Sequence, residues 1–191
     1  MALIQATVPE SRPNDPSWLS GETWMLSLAV TLVPFAGIAF LWFMGVIRDH
    51  FGEAEDRFFA TVFLGSGLLL LASMFVWIAL LGSAVAAAAY SSDWPDGDAF
   101  VFVSSMIDIM ASTIMLRMAG VFVLSTSTIW IRSRVMAKWV GILGFVVAAT
   151  LLIGGDQILY LRFLFPLWVL LVSLLILVAV RNRDQNPGSG A

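Results

Sequence analysis

Polar positions interrupt this chain only at wide intervals, and the apolar runs between them predict five helices at about 24–47, 58–90, 100–131, 139–153 and 158–180. Residues 1–22 are polar, hold Pro13 and Pro16, and predict a tail. Pro34 lies inside the first run and removes one backbone donor, so a kink is expected there, with Thr31 or a neighbouring helix compensating. The loop RDHFGEAEDR at 48–57 is dense in both charge signs. Its Glu53, Glu55 and Asp56 stand at the start of the second helix, where acids suit the helix dipole. Pro95-Asp96-Gly97 supplies turn chemistry before the third helix, and Asp98 is a plausible N-cap. Residues 139–180 would make one helix of roughly 63 Å, about twice a hydrocarbon core. Gly154-Gly155-Asp156-Gln157 therefore divides them into two. Pro166 is expected to kink the start of the fifth helix, and 182–191 reads as a flexible tail ending in NPGSGA.

Composition turns these helices into membrane helices. The chain has 191 residues, is 60% hydrophobic and 12% charged, and has a mean hydropathy of +0.92. A water-soluble domain of this length cannot hide that much apolar surface. The expected class is an all-α integral membrane bundle over 23–181, multi-pass in an inner (plasma) membrane. The N-terminal eight residues are too short, and too free of basic residues, for a secretory signal. Charge sets the orientation. Arg48, Arg57, Arg132, Arg134, Lys138, Arg181 and Arg183 fall on one side, against Arg12 and the boundary residue Arg162 on the other. By the positive-inside rule the N-terminus is outside and the C-terminus cytoplasmic.

The second and third runs are longer than a bilayer requires. Each would measure roughly 48–50 Å, and tilt alone would need roughly 50°. The surplus is apolar: SAVAAAAY at 83–90 faces DAFVFV at 98–103. Either the helices end early at the interface, or an apolar hairpin stands outside and packs on a partner.

The third run also carries Asp108 and Arg117, and ionised groups at membrane depth normally face protein or water. Nine residues apart on a straight helix, the two lie half a turn off and roughly 13.5 Å along the axis, too far to pair. Ser104, Ser105 and Ser112 share the Asp108 face, and Arg162 is the basic residue nearest its depth. No acid is expected at the depth of Arg117. Three readings stay open. Asp108 and Arg162 form an internal pair while Arg117 binds backbone carbonyls or snorkels. One of the helix-three charges meets an opposite charge on another subunit. Or the charges serve a proton or ion relay.

Candidate chemistry is sparse. Cysteine is absent and His50 is the single histidine, which excludes disulfides, thiolate chemistry and a two-histidine metal or haem site within one chain. No catalytic constellation, cofactor motif or basic tract for nucleic acid stands out. Asp49, Glu53 and Asp56 have helical spacing but belong to an exposed charge run. Gly65-Ser66-Gly67, Gly141 and Gly144 read as close helix packing. The methionines at 106, 110, 115 and 118 read as adaptable packing. The Ser and Thr residues at 125–128 have no base beside them.

One segment carries a resemblance. FLWFMGVIRDHFGEAEDRFFATVFLGSGLL, at 40–69, resembles a family of small multi-pass membrane proteins of actinobacteria, some of them accessory subunits of mycobacterial MCE lipid-import complexes. Its core is Arg48, Asp49, Gly52, Glu53, Glu55, Asp56 and Arg57, and the resemblance brings no catalytic residues. It implies a non-catalytic, hetero-oligomeric subunit beside ABC-type permeases, periplasmic MCE-type proteins and a cytoplasmic ATPase. The alternative expectation is a self-contained homo-oligomeric transporter or channel built on Asp108 and Arg117. A membrane enzyme acting on lipid is a third class.

Overall fold

The computed structural model describes residues 23–49, 57–90, 98–133, 138–154 and 161–185, and every element among them is helical. Helix α1 is Thr23–Asp49, α2 is Arg57–Tyr90, α4 is Lys138–Ile153 and α5 is Leu161–Gln185. Helix α3 covers residues 98–133 in three parts: α-helical Asp98–Ile109, a π-helical turn Met110–Met115, and α-helical Leu116–Ser133. Three helices are long and apolar enough to cross a membrane, within α1, α2 and α3; the apolar stretches of α4 and α5 are shorter. The all-helical bundle expected from the hydrophobic pattern is therefore present. Helix α5 runs to Gln185, four residues into the segment expected to be a tail. Arg181, exposed in its last turns, suits the negative end of its dipole.

Side-chain contacts fix the levels of the helices. A Cβ on Gly67 of α2 would meet Met44 of α1 at 2.5 Å and Phe122 of α3 at 3.1 Å, so these three share one level. One on Gly82 would meet Val30, which makes α1 and α2 antiparallel neighbours. On α3, Gly120 fits against Leu151 and Leu152, and Ser127 against Gly144, so α4 runs antiparallel to the second half of α3. Gly67, Gly141 and Gly144 are close-packing glycines as expected. Gly65 is not, since a Cβ there meets nothing within 4 Å.

An aromatic cluster ties the elements together. Phe122, fully buried, stacks on Phe63 of α2 at 4.9 Å and meets Phe40 of α1 at 5.3 Å. It also contacts Phe165 and Trp168 of α5, and Trp168 stacks on Trp130 at 5.8 Å. Buried serines and threonines here donate to carbonyls one turn back, as Thr126 does to Phe122 at 2.7 Å and Ser127 to Val123 at 2.7 Å. Their hydroxyls are thereby satisfied within the helix.

Helix α4 ends early. Its last turn lies beside Gly120 of α3, so α4 and α5 flank only the Leu116–Ser133 half. The Asp98–Ile109 half of α3 and the far halves of α1 and α2 extend past them. The basic residues Arg48, Arg132 and Lys138 gather at the opposite end of the bundle, where Arg132 sits over the Phe59 ring at 4.5 Å.

Candidate functional site

The feature missed by reading α3 as one straight helix is its π turn. A π turn has i→i+5 hydrogen bonding and adds one residue to the helix, worth about 100° of rotation on the α-helical scale. That slip decides which residues face outward. Phe102 and Ile109 are exposed at 66% and 53%, and two α-helical turns further an uninterrupted helix would expose 116, 123 and 130. Val123 is instead 0% exposed and Trp130 2%. The exposed line continues one residue later, through Arg117, half-buried Leu124 and exposed Ile131. The extra residue thus brings Arg117 into line with Phe102 and Ile109. Asp108 and Arg117, expected on opposite faces, are both exposed and about 80–100° apart in phase rather than 180°.

Local hydrogen bonds account for the serines. Ser112 Oγ donates to the Asp108 carbonyl at 2.7 Å, at the start of the π turn. Ser105 donates to the Val101 carbonyl at 2.8 Å and Ser104 to the same carbonyl at 3.0 Å. The Leu116 N–H donates to the Thr113 carbonyl where the turn returns to α-helix. Back-bonding by Ser125, Thr126 and Ser127 leaves α3 α-helical, so the Ser112 bond satisfies a carbonyl at the π turn without being sufficient to open it. The expected polar stripe near Asp108 therefore spends at least three of its donors on its own backbone.

Arg117 is exposed, and its guanidinium makes no hydrogen bond or ion pair with another described residue. It stands roughly 22 Å along α3 from Arg132. Leu161 starts α5, while the side chain of Arg162, expected opposite Asp108, lies outside the described residues. Within the charged 48–57 motif, Arg48 and Asp49 are exposed at the end of α1. Arg57 opens α2, though its side chain is outside the described set, as are Gly52, Glu53, Glu55 and Asp56 altogether. Among the described residues there is no group of three or more His, Asp or Glu able to hold a metal.

The second feature with no sequence signal is a crevice of about 490 Å³ between α1 and α5, floored in part by the π turn. No family model, curated protein or solved structure matches the chain.

Proposed function

We propose that this chain is a non-catalytic accessory subunit of a larger membrane transport complex, docking through the outward stripe of α3. The observation that carries the reading is the register slip, which turns Arg117 out of the bundle beside the exposed apolar residues Phe102 and Ile109. Taking Arg132 and Lys138 as one membrane boundary, a core of about 30 Å ends near residue 112 of α3. Arg117 then lies roughly 7–8 Å inside the far boundary, and Asp108 roughly 6 Å beyond it. The remaining apolar stretch of α2 and α3 projects about 18–21 Å further, with Phe102 on its surface. A cation near the boundary next to an apolar projection matches a partner that offers a carboxylate inside the membrane and an apolar face outside it.

The resemblance of residues 40–69 supports a particular machine. On that reading the partners are the permease pair and periplasmic MCE-type proteins of an ABC-type lipid importer, with the basic end of the bundle in the cytoplasm and the membrane being the inner one. The test is native purification in mild detergent with mass spectrometry of what accompanies the chain. Other subunits at fixed stoichiometry, loosened by Arg117→Leu at unchanged expression, are expected. Recovery of the chain alone as a homo-oligomer would replace this reading with a self-contained transporter. Equal loosening by Asp156→Asn, an acid in the α4–α5 connection and outside the described residues, would place the Arg117 counter-charge in this same chain.

A further inference from the structure

The crevice between α1 and α5 opens sideways. Its mouth is formed by Ala36 and Ala39 on α1 and by Pro166, Leu170 and Ser173 on α5, all exposed. Its floor is buried: Leu71 of α2, Ala111 and Met115 of the π turn, and Leu151 at the end of α4. Alanines at 36, 39 and 111 leave the space that larger side chains would fill. Among the described residues Ser173 is the one polar lining residue, and its hydroxyl already donates to the Val169 carbonyl at 2.8 Å. The described lining therefore offers a ligand dispersion contact and exclusion from other solvent.

Dimensions narrow the occupant. From Leu161 to Ser173 the α5 wall runs roughly 18 Å, close to one leaflet of a core about 30 Å thick. Spread over that length, 490 Å³ gives a slot that takes an extended acyl chain along its whole run and is narrower than the ~10–12 Å of a helix with its side chains. A helix would lie across the mouth and leave the buried floor unfilled, whereas an acyl chain reaches it. We propose that the crevice binds one acyl chain of a membrane phospholipid, entering laterally from the bilayer and lying along the normal against the π turn. This inference goes beyond the docking role proposed for α3 and does not depend on it, because it is read on the isolated chain.

The test reconstitutes the full chain in phosphatidylethanolamine and phosphatidylglycerol vesicles containing phosphatidylethanolamine with a photoactivatable diazirine in its acyl tail. Illumination should place adducts on Met115, Leu116 and Phe165 in excess of those on Ile142 and Leu177, which are exposed elsewhere on the bundle. Adducts spread evenly over all exposed apolar positions would overturn the site. A second arm extracts the chain into mild detergent for native mass spectrometry. Wild type should retain a single phospholipid. Ala39→Phe, an exposed position, should weaken retention by roughly tenfold or more, since each methylene kept from an apolar wall is worth about fourfold in binding. Equal retention by the variant, or a bound detergent or free fatty acid in place of phospholipid, would count against the proposal.

Discussion

The two halves of α3 are built from similar residues and live in different surroundings. Residues 116–133 are enclosed: Phe122 and Val123 are wholly buried, Trp130 stacks on Trp168, and Gly144 of α4 approaches Ser127 too closely for any larger side chain. Residues 98–109 lie beyond α4 and α5, and Phe102 and Ile109 look outward. The π turn sits at the junction. With the slip in place, Val123 and Trp130 lie in the core below while Ile109 looks outward above. The π turn thereby sets the direction of Arg117, at the start of the enclosed half, relative to Asp108 in the open half.

The sharpest way to break this contrast is to change the phase between the halves. Inserting an alanine after Met118 would rotate the rest of the lower half by about 100° relative to the upper, whereas deleting Ile114 would only close the π turn and keep the present phase. Val123 and Trp130 would leave the core, and the loss should exceed ~4–5 kcal/mol. Thermal unfolding in detergent and size-exclusion profiles would show it, and an insertion variant as stable as wild type would mean the packing of the lower half does not depend on its phase. Next in size is the comparison of two phenylalanines. Phe122→Ala leaves a cavity among four rings and should cost ~3–5 kcal/mol. Phe102→Ala on the open half should change the isolated chain by less than ~0.5 kcal/mol while weakening partner association. Similar unfolding shifts for both would erase the distinction between the halves.

Smaller effects separate the glycines. Gly144→Val forces Ser127 and Trp168 apart and should cost ~1–3 kcal/mol. Gly65→Ala has open space around it and should stabilise α2 by ~0.5–1 kcal/mol. Matching signs for the two would show that the tight α3–α4 approach is not what the structure depicts. Smallest of all, Ser105→Ala removes only a back-bond to Val101 and should lie within ~0.5 kcal/mol of wild type. A large loss would reveal a demand on that hydroxyl beyond its own helix.

Much of the fold was legible because membrane helices are read by length and by where charges interrupt them. The predicted 24–47, 58–90 and 139–153 fall within two residues of α1, α2 and α4. Gly141 and Gly144 were legible as close contacts because small residues at that spacing let backbones approach. The π turn was not. The polar stripe of Ser104, Ser105, Asp108 and Ser112 ends inside it, and the apolar residues that follow do not mark a shift of phase. Asp108 and Arg117 stood out as charges in an apolar run, yet their relative direction depends on one inserted residue that composition does not mark. The crevice was equally invisible, since it is formed by alanines on two helices distant in sequence.

The absence of native cysteine makes the deciding experiment direct, because single cysteines can be placed along α3 without altering other positions. Spin labels at 102, 109, 116, 117, 123, 124, 130 and 131, read by collision with lipid-soluble oxygen in reconstituted bilayers, would report which face each half exposes. Accessibility at 117, 124 and 131 well above that at 116, 123 and 130, with high values at 102 and 109, is the predicted pattern. Peaks at 116, 123 and 130 would mean an uninterrupted helix, with Arg117 turned away from the stripe on which the proposed docking depends.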